Sequence, residues 1–238
     1  MQAVVDIVFL MDATGSMANC IRKLNENVML FFKSLTEKIG NTLPPVKDWR
    51  AKVVGFRDYE CDGAADWLVD NPFTRDICEL QRQLDALETT GGGDAPESLL
   101  DAMYTVISAP KSERGAEDPW MWRERHEAKR AVVIFTDAPF KPVMVAPPCR
   151  NGTVEDVMNL CMQERILLTV VAPSSEQPEY ACFEYLESIR KARYIPIPPG
   201  SHNDDSPLDR FLDDGDALQG VIQAIAKTIP TTEVAEGM

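Results

Sequence analysis

The stretch Val4-Val5-Asp6-Ile7-Val8-Phe9-Leu10-Met11-Asp12-Ala13-Thr14-Gly15-Ser16-Met17 decides how the rest of the chain is read. Its first eight residues are a nearly continuous apolar run of strand length, as suits a strand buried on both faces. From Met17 to Ile39 the period changes. Ile21, Leu24, Val28, Phe31, Leu35 and Ile39 recur every three or four residues and form one helical face. Gly40-Asn41 stops that helix, and Pro44-Pro45 prevents a restart. Between strand and helix stand Asp12, Thr14 and Ser16, one carboxylate and two hydroxyls. Spaced by two along an extended turn, with Gly15 permitting tight backbone, these side chains can converge on one point. Hard oxygen donors select Mg2+, Mn2+ or Ca2+ rather than zinc. A plain turn with Ser16 as helix cap has the same residues, so this loop alone is insufficient.

Outward from it, the pattern alternates strand and helix. Ala51 to Phe56 reads as a second strand, with a short edge strand at Trp67-Leu68-Val69 and Phe73-Thr74. Asp76 to Leu87 reads as a helix capped by Asp76. Gly91 to Gly93 make a tight loop, and Pro96 suits the first turn of a helix running to about Ser108. Residues 110–129, polar but carrying Trp120 and Trp122, read as an inserted loop ending in a short helix. Arg130 to Thr136 is another buried strand, followed by a Pro-rich loop over 138–152. Helices are expected over 154–164, 179–191 and 208–229, a strand over 166–171, and an edge strand at Tyr194-Ile195-Pro196-Ile197. This predicts an α/β fold: a doubly wound, mostly parallel central sheet with helices on both faces. One domain is expected over 1–230, with a flexible tail over 231–238. In such sheets ligands bind beyond the carboxyl ends of the strands.

Composition narrows the function. The 238 residues carry 38 acidic and 24 basic side chains, a formal charge of −14. That field repels phosphate backbones, so nucleic acid is not the expected partner; cations and basic protein surfaces are. No apolar run is long enough to span a bilayer, and the N-terminal run lacks a preceding basic region and is cut by Asp6 and Asp12. A cytoplasmic protein without a membrane partner is the expectation. The six cysteines form no C-x-x-C pair and only two histidines accompany them, which argues against a zinc site.

Two further segments meet the carboxyl-end criterion: Thr89-Thr90-Gly91-Gly92-Gly93-Asp94-Ala95-Pro96-Glu97, and Ile134-Phe135-Thr136-Asp137-Ala138-Pro139. Singly, each is a turn with acids at a helix or loop start. In this order, Asp-x-Thr-Gly-Ser, Gly-Gly-Gly-Asp-x-Pro-Glu and Thr-Asp-Ala resemble the metal-ion-dependent adhesion site of von Willebrand factor type A domains. The resemblance runs from residue 4 to about 229. It is closest to intracellular members such as the domain joined to alpha-kinases, which share a segment like Gly55-Phe56-Arg57-Asp58-Tyr59. It implies that Asp12, Thr14 and Ser16 form a first metal loop and that Asp137 is the carboxylate of a third. The second loop of many members offers a threonine. This chain departs from that, and its Asp-Ala-Pro-Glu run is similar to the integrin β-subunit version. By that match Glu97 is the second-loop ligand and Asp94 a weaker candidate.

The implied function is metal-dependent protein recognition, not catalysis. A divalent cation, Mg2+ or else Mn2+ or Ca2+, would accept an Asp or Glu from a protein partner such as a kinase, a phosphatase or an ATPase. The enzymatic alternative is a Mg2+-dependent haloacid-dehalogenase-type phosphohydrolase, whose pattern is Asp-x-Asp-x-Thr. Here Thr14 replaces the second, acid–base Asp. The pairs Asp204-Asp205 and Asp213-Asp214 stand where a late acidic pair would be sought. For Arg57 and Asp58, an ion pair ordering the rim is expected. Trp120 and Trp122 are expected to pin the inserted loop to its own domain rather than to anchor a partner.

Overall fold

A computed structural model describes residues 3–36, 46–91, 95–189, 192–197 and 215–231. Among the described residues six strands form one sheet: β1 (Ala3–Asp12), β2 (Val46–Phe56), β3 (Leu68–Val69), β4 (Lys129–Phe135), β5 (Leu167–Pro173) and β6 (Ala192–Ile197). Their spatial order is β3-β2-β1-β4-β5-β6. All neighbours are parallel except β3, which runs antiparallel to β2 at one edge. The helices are α1 (Ala18–Thr36), α2 (Tyr59–Asp66), α3 (Ile77–Asp85), α4 (Leu99–Ile107), α5 (Val154–Glu164), α6 (Phe183–Glu187) and α7 (Gly215–Thr231). None of the described helices is long and apolar enough to cross a membrane.

The unbroken apolar run of β1 serves two cores at once. Val5, Ile7, Phe9 and Met11 enter a cluster with α1, α3 and α7 on one face of the sheet. Val8 and Leu10, with the opposite parity, enter a cluster with α4, α5 and α6 on the other. Side chains alternate faces along a strand, so a strand covered on both sides needs apolar residues at both parities. The helical period of α1 is borne out: Ile21, Leu24, Val28, Phe31 and Leu35 are all buried. Ile39 lies outside the described residues.

The exception to apolarity in β1 is Asp6, fully buried near the amino end of the sheet. Its Oδ1 accepts from Arg50 Nε at 2.9 Å and Arg123 Nε at 2.8 Å; its Oδ2 accepts from Arg50 Nη2 at 2.9 Å and the Arg123 amide at 2.8 Å. Arg123 brings in the segment 110–129. That segment contains no helix but a bridge between Lys111 and Trp122. Trp122 is buried and donates from Nε1 to the Val106 carbonyl at 2.8 Å, whereas Trp120 is 52% exposed. Only one of the two tryptophans therefore pins the loop.

Other differences are local. The expected helix over 179–191 is a 3-10 turn (Pro178–Tyr180) followed by the short α6. The last helix is described from Gly215, and it includes Thr231, the first residue assigned to the tail. Residues 232–238 lie outside the described residues. Helix α2 has no counterpart in the sequence pattern. It is eight residues long and kinked at Gly63, whose φ of 79° is left-handed, and it buries no side chain, so it leaves no apolar period. Helix α4 begins at Leu99 rather than at Pro96, because Glu97 is drawn into a parallel bridge with Phe140.

Candidate metal site at the carboxyl edge of the sheet

Strand register brings the segments together. Asp12 lies opposite Phe56, the last residue of β2, and Met11 lies opposite Phe135, the last of β4. The residues that follow, Thr14 and Ser16, Arg57 and Asp58, and Thr136 and Asp137, thus leave the sheet at one rim. The first loop keeps its tie to β2, since the Ala13 amide donates to the Phe56 carbonyl at 2.8 Å. Thr14 is extended (φ −73°, ψ 163°) before a 3-10 turn over Gly15–Met17 leads into α1. The extended backbone at Thr14 sets it on the side of Asp12, and the 3-10 turn brings Ser16 Oγ to within 3.4 Å of Thr14 Oγ1.

These residues form a hydrogen-bonded chain. Asp12 Oδ1 accepts from the Thr14 amide at 3.0 Å and from Thr14 Oγ1 at 2.7 Å. Thr14 Oγ1 and Ser16 Oγ are 3.4 Å apart, and Ser16 Oγ donates to Asp137 Oδ1 at 3.0 Å. The Ser16 hydroxyl proton is thus directed to Asp137. On the other flank, Thr136 Oγ1 donates to Asp12 Oδ2 at 2.7 Å. The motif comparison gives Thr136 no role. Its position one residue before Asp137 at a strand end is the signal that could have assigned one. Asp12 is fully buried, and burial first, with the nearby charge of Asp137, pushes its pKa up to about 6 despite the three hydrogen bonds.

Glu97 comes from the second segment. Its amide donates to the Pro139 carbonyl at 2.8 Å, and the Lys141 amide donates back to its carbonyl at 3.0 Å. That pairing lays the second segment along the loop following β4. The Glu97 side chain is 3% exposed, and its Oε2 has no hydrogen-bond partner. Burial first, then the charges of Asp12, Asp58 and Asp62, push its pKa up to about 8. A buried carboxylate oxygen left without a donor is costly unless something else satisfies it. Asp94 lies outside the described residues, as do Asp204, Asp205, Asp213 and Asp214.

The expected Arg57–Asp58 ion pair is replaced by another arrangement. Asp58 Oδ1 accepts from Lys141 Nζ at 2.6 Å and from Ser98 Oγ at 3.2 Å, while Lys141 also reaches Glu60 Oε2 at 2.6 Å. Burial opposes the Asp58 charge, but Lys141, the Cys61 thiol and the Glu60 amide together hold its pKa below the ordinary value. Arg57 turns inward to main-chain carbonyls. Adjacent residues on an extended chain point opposite ways, so Arg57 and Asp58 cannot both face the rim. Asp62 lies against Gly91 (φ 72°), where a Cβ would stand 1.9 Å from Asp62 Oδ1. This gives the first glycine of the tight loop two reasons to be glycine.

Among the described residues no three His, Cys, Asp or Glu side chains converge as a ligand set by themselves. Hydrogen bonds gather a mixed set, the carboxylates of Asp12 and Asp137 with the hydroxyls of Thr14 and Ser16; Glu97 is coupled to Asp12 through charge and makes no hydrogen bond to the set. Hard oxygens with surplus negative charge fit Mg2+, Mn2+ or Ca2+ and do not fit a soft or thiolate-seeking metal.

No family model matches the chain. It is 28% identical over 111 residues, 47% of its own length, to a protein of Acanthamoeba polyphaga mimivirus named as an ariadne-like RING finger protein. The chain covers 10% of that protein. Among solved structures it is similar to the human COPII-coat protein Sec24c, with a TM-score of 0.56 and 12% sequence identity, over 93% of this chain and 32% of that one. At that identity the likeness speaks for the fold alone, a mostly parallel α/β sheet flanked by helices.

Proposed function

We propose that this chain is a protein-recognition module that takes a divalent cation, Mg2+ or else Mn2+ or Ca2+, at the carboxyl rim of its sheet. The observation that carries this is the hydrogen-bonded set Asp12, Thr14, Ser16 and Asp137, together with an unpartnered, buried Glu97 oxygen whose carboxyl feels the charge of Asp12. Thr14 and Ser16 would supply hydroxyl ligands, and Asp12, Glu97 and Asp137 would supply charge directly or through water; Asp94 is a weaker candidate. A cation so held would offer a position to an Asp or Glu of a protein partner, a strong and directional contact. The net charge of −14 favours a partner whose surface around that acid is basic.

Its proposed setting is an intracellular signalling or assembly system. A kinase, a phosphatase or an ATPase is the proposed class of partner, with neither nucleic acid nor membrane involved. Catalysis is not part of the proposal. The haloacid-dehalogenase alternative needs an acid–base group two residues beyond Asp12, where Thr14 instead donates to Asp12 itself.

Calorimetric titration of the purified protein with Mg2+ and Mn2+ tests the site, with Asp12→Ala as control. Saturable binding that disappears in a folded Asp12→Ala protein is expected. Binding that survives the substitution would remove the site. Affinity capture with Mg2+ and with chelator then tests recognition. A partner retained equally in chelator would leave a passive scaffold, and turnover of a generic phosphate ester abolished by Asp12→Ala would favour the hydrolase.

A further inference from the structure

The buried side chain of Arg57 is used in a way the motif does not disclose. Arg57 is 7% exposed, and its three nitrogens go to carbonyls of three separate segments. Nε donates to Ala13 O at 3.3 Å, Nη1 to Asp66 O at 2.6 Å, and Nη2 to Glu88 O. Ala13 sits between two proposed ligands, Asp12 and Thr14. Asp66 ends α2. Glu88 follows α3 and leads into the loop that reaches Glu97. Among the described residues all the hydrogen bonds of Arg57 go to main-chain oxygens, and the carboxylate next to it in sequence is bound to Lys141 instead. Each of those carbonyls lies where strand or helix pairing has ended, so each needs a donor from elsewhere.

We propose that Arg57 is a positioning residue for the metal site: its fork ties the first and second metal loops to one point and so fixes their spacing. The proposal rests on the metal reading above. A guanidinium suits the task because its donors diverge in a rigid plane and it stays charged when buried. Lysine would bring one nitrogen to one point and could not hold three carbonyls from different directions. The arrangement also sets a permanent positive charge behind loops whose side chains are acidic.

Two measurements on Arg57→Lys and Arg57→Met test this. The first is amide hydrogen exchange of the metal-free protein, which does not depend on metal binding. Faster exchange is expected over 13–17 and 86–91, with α4, α5 and β5 unchanged. The second is Mn2+ and Mg2+ titration, where affinity is expected to fall about tenfold or more, as for other residues that orient metal ligands. Unchanged exchange at both loops overturns the proposal, as does loosened loops with unchanged affinity, or failure of both variants to fold. If the wild-type protein binds neither metal while Arg57→Lys still loosens both loops, the metal reading falls and the clamp stands.

Discussion

Glu97 is an acid placed where ionisation is opposed. Its pKa is pushed up to about 8 from 4.5, and that of Asp12 to about 6 from 3.8, in both cases by burial first and neighbouring carboxylates second. Between ordinary and raised values the folded protein holds protons that the unfolded chain has released. The contribution of these two acids to the stability of the metal-free protein therefore falls as pH rises from the ordinary carboxylate range through about 8. Thermal melts in chelator should show this decline, and Glu97→Gln should flatten its upper part. An unaltered slope in Glu97→Gln would exclude Glu97 as its source. Because carboxylate ligands must be deprotonated, Mg2+ should raise the melting temperature more at about pH 8 than at about pH 6. Gly91 gives a second residue-scale test. Its left-handed φ of 72° and the Asp62 carboxylate against it leave no room for a Cβ. Gly91→Ala should cost about 1–3 kcal/mol in a denaturant melt; a neutral result would mean the loop rearranges freely.

At the scale of elements, β1 and α1 are legible because each has a long period of its own. Helix α2 is not, because it buries nothing and is only one kinked stretch of eight residues. The start of α4 is displaced from its expected position for a different reason. Pro96 is compatible with a first helical turn, but the pairing of Glu97 with Pro139 and Lys141, distant in sequence, takes the chain out of the helix until Leu99. The same pairing carries Glu97 to the rim. The two tryptophans of 110–129 show how little sequence separates opposite roles. Trp122 packs against Phe73 with ring centroids 5.2 Å apart and is 1% exposed, while Trp120 stands 52% exposed. Trp122→Ala should cost about 3–5 kcal/mol. Trp120→Ala should stay within about 0.5 kcal/mol of wild type. Equal effects in urea melts would contradict the assignment.

Across the whole molecule, the two ends of the sheet divide the work. The Asp6–Arg50–Arg123 cluster sits toward the amino ends of β1 and β2. Asp12 lies six residues further along the same strand, roughly 20 Å away at about 3.3 Å per residue. Asp6→Asn leaves two buried guanidinium groups without their carboxylate. It should destabilise by about 3–5 kcal/mol. Metal affinity of the folded fraction should not change, since the sites are separated and share no partner. A parallel loss of affinity would show that the rim depends on the far end of the sheet.

The sequence by itself determined the layered fold and the identity of the candidate donors, because burial on two faces and hard-oxygen chemistry are written in residue type and spacing. Asp12, Thr14 and Ser16 stand out by residue type and spacing, and Glu97 and Asp137 join them through the resemblance of their segments to a known metal site. Only the tertiary structure decided which groups meet. It linked Ser16 to Asp137, added Thr136 to Asp12, left a Glu97 oxygen without a donor, gave Asp58 to Lys141, and turned Arg57 to three carbonyls. Those contacts join residues up to 124 positions apart. They depend on strand register and on which loop crosses which, and no local pattern encodes either.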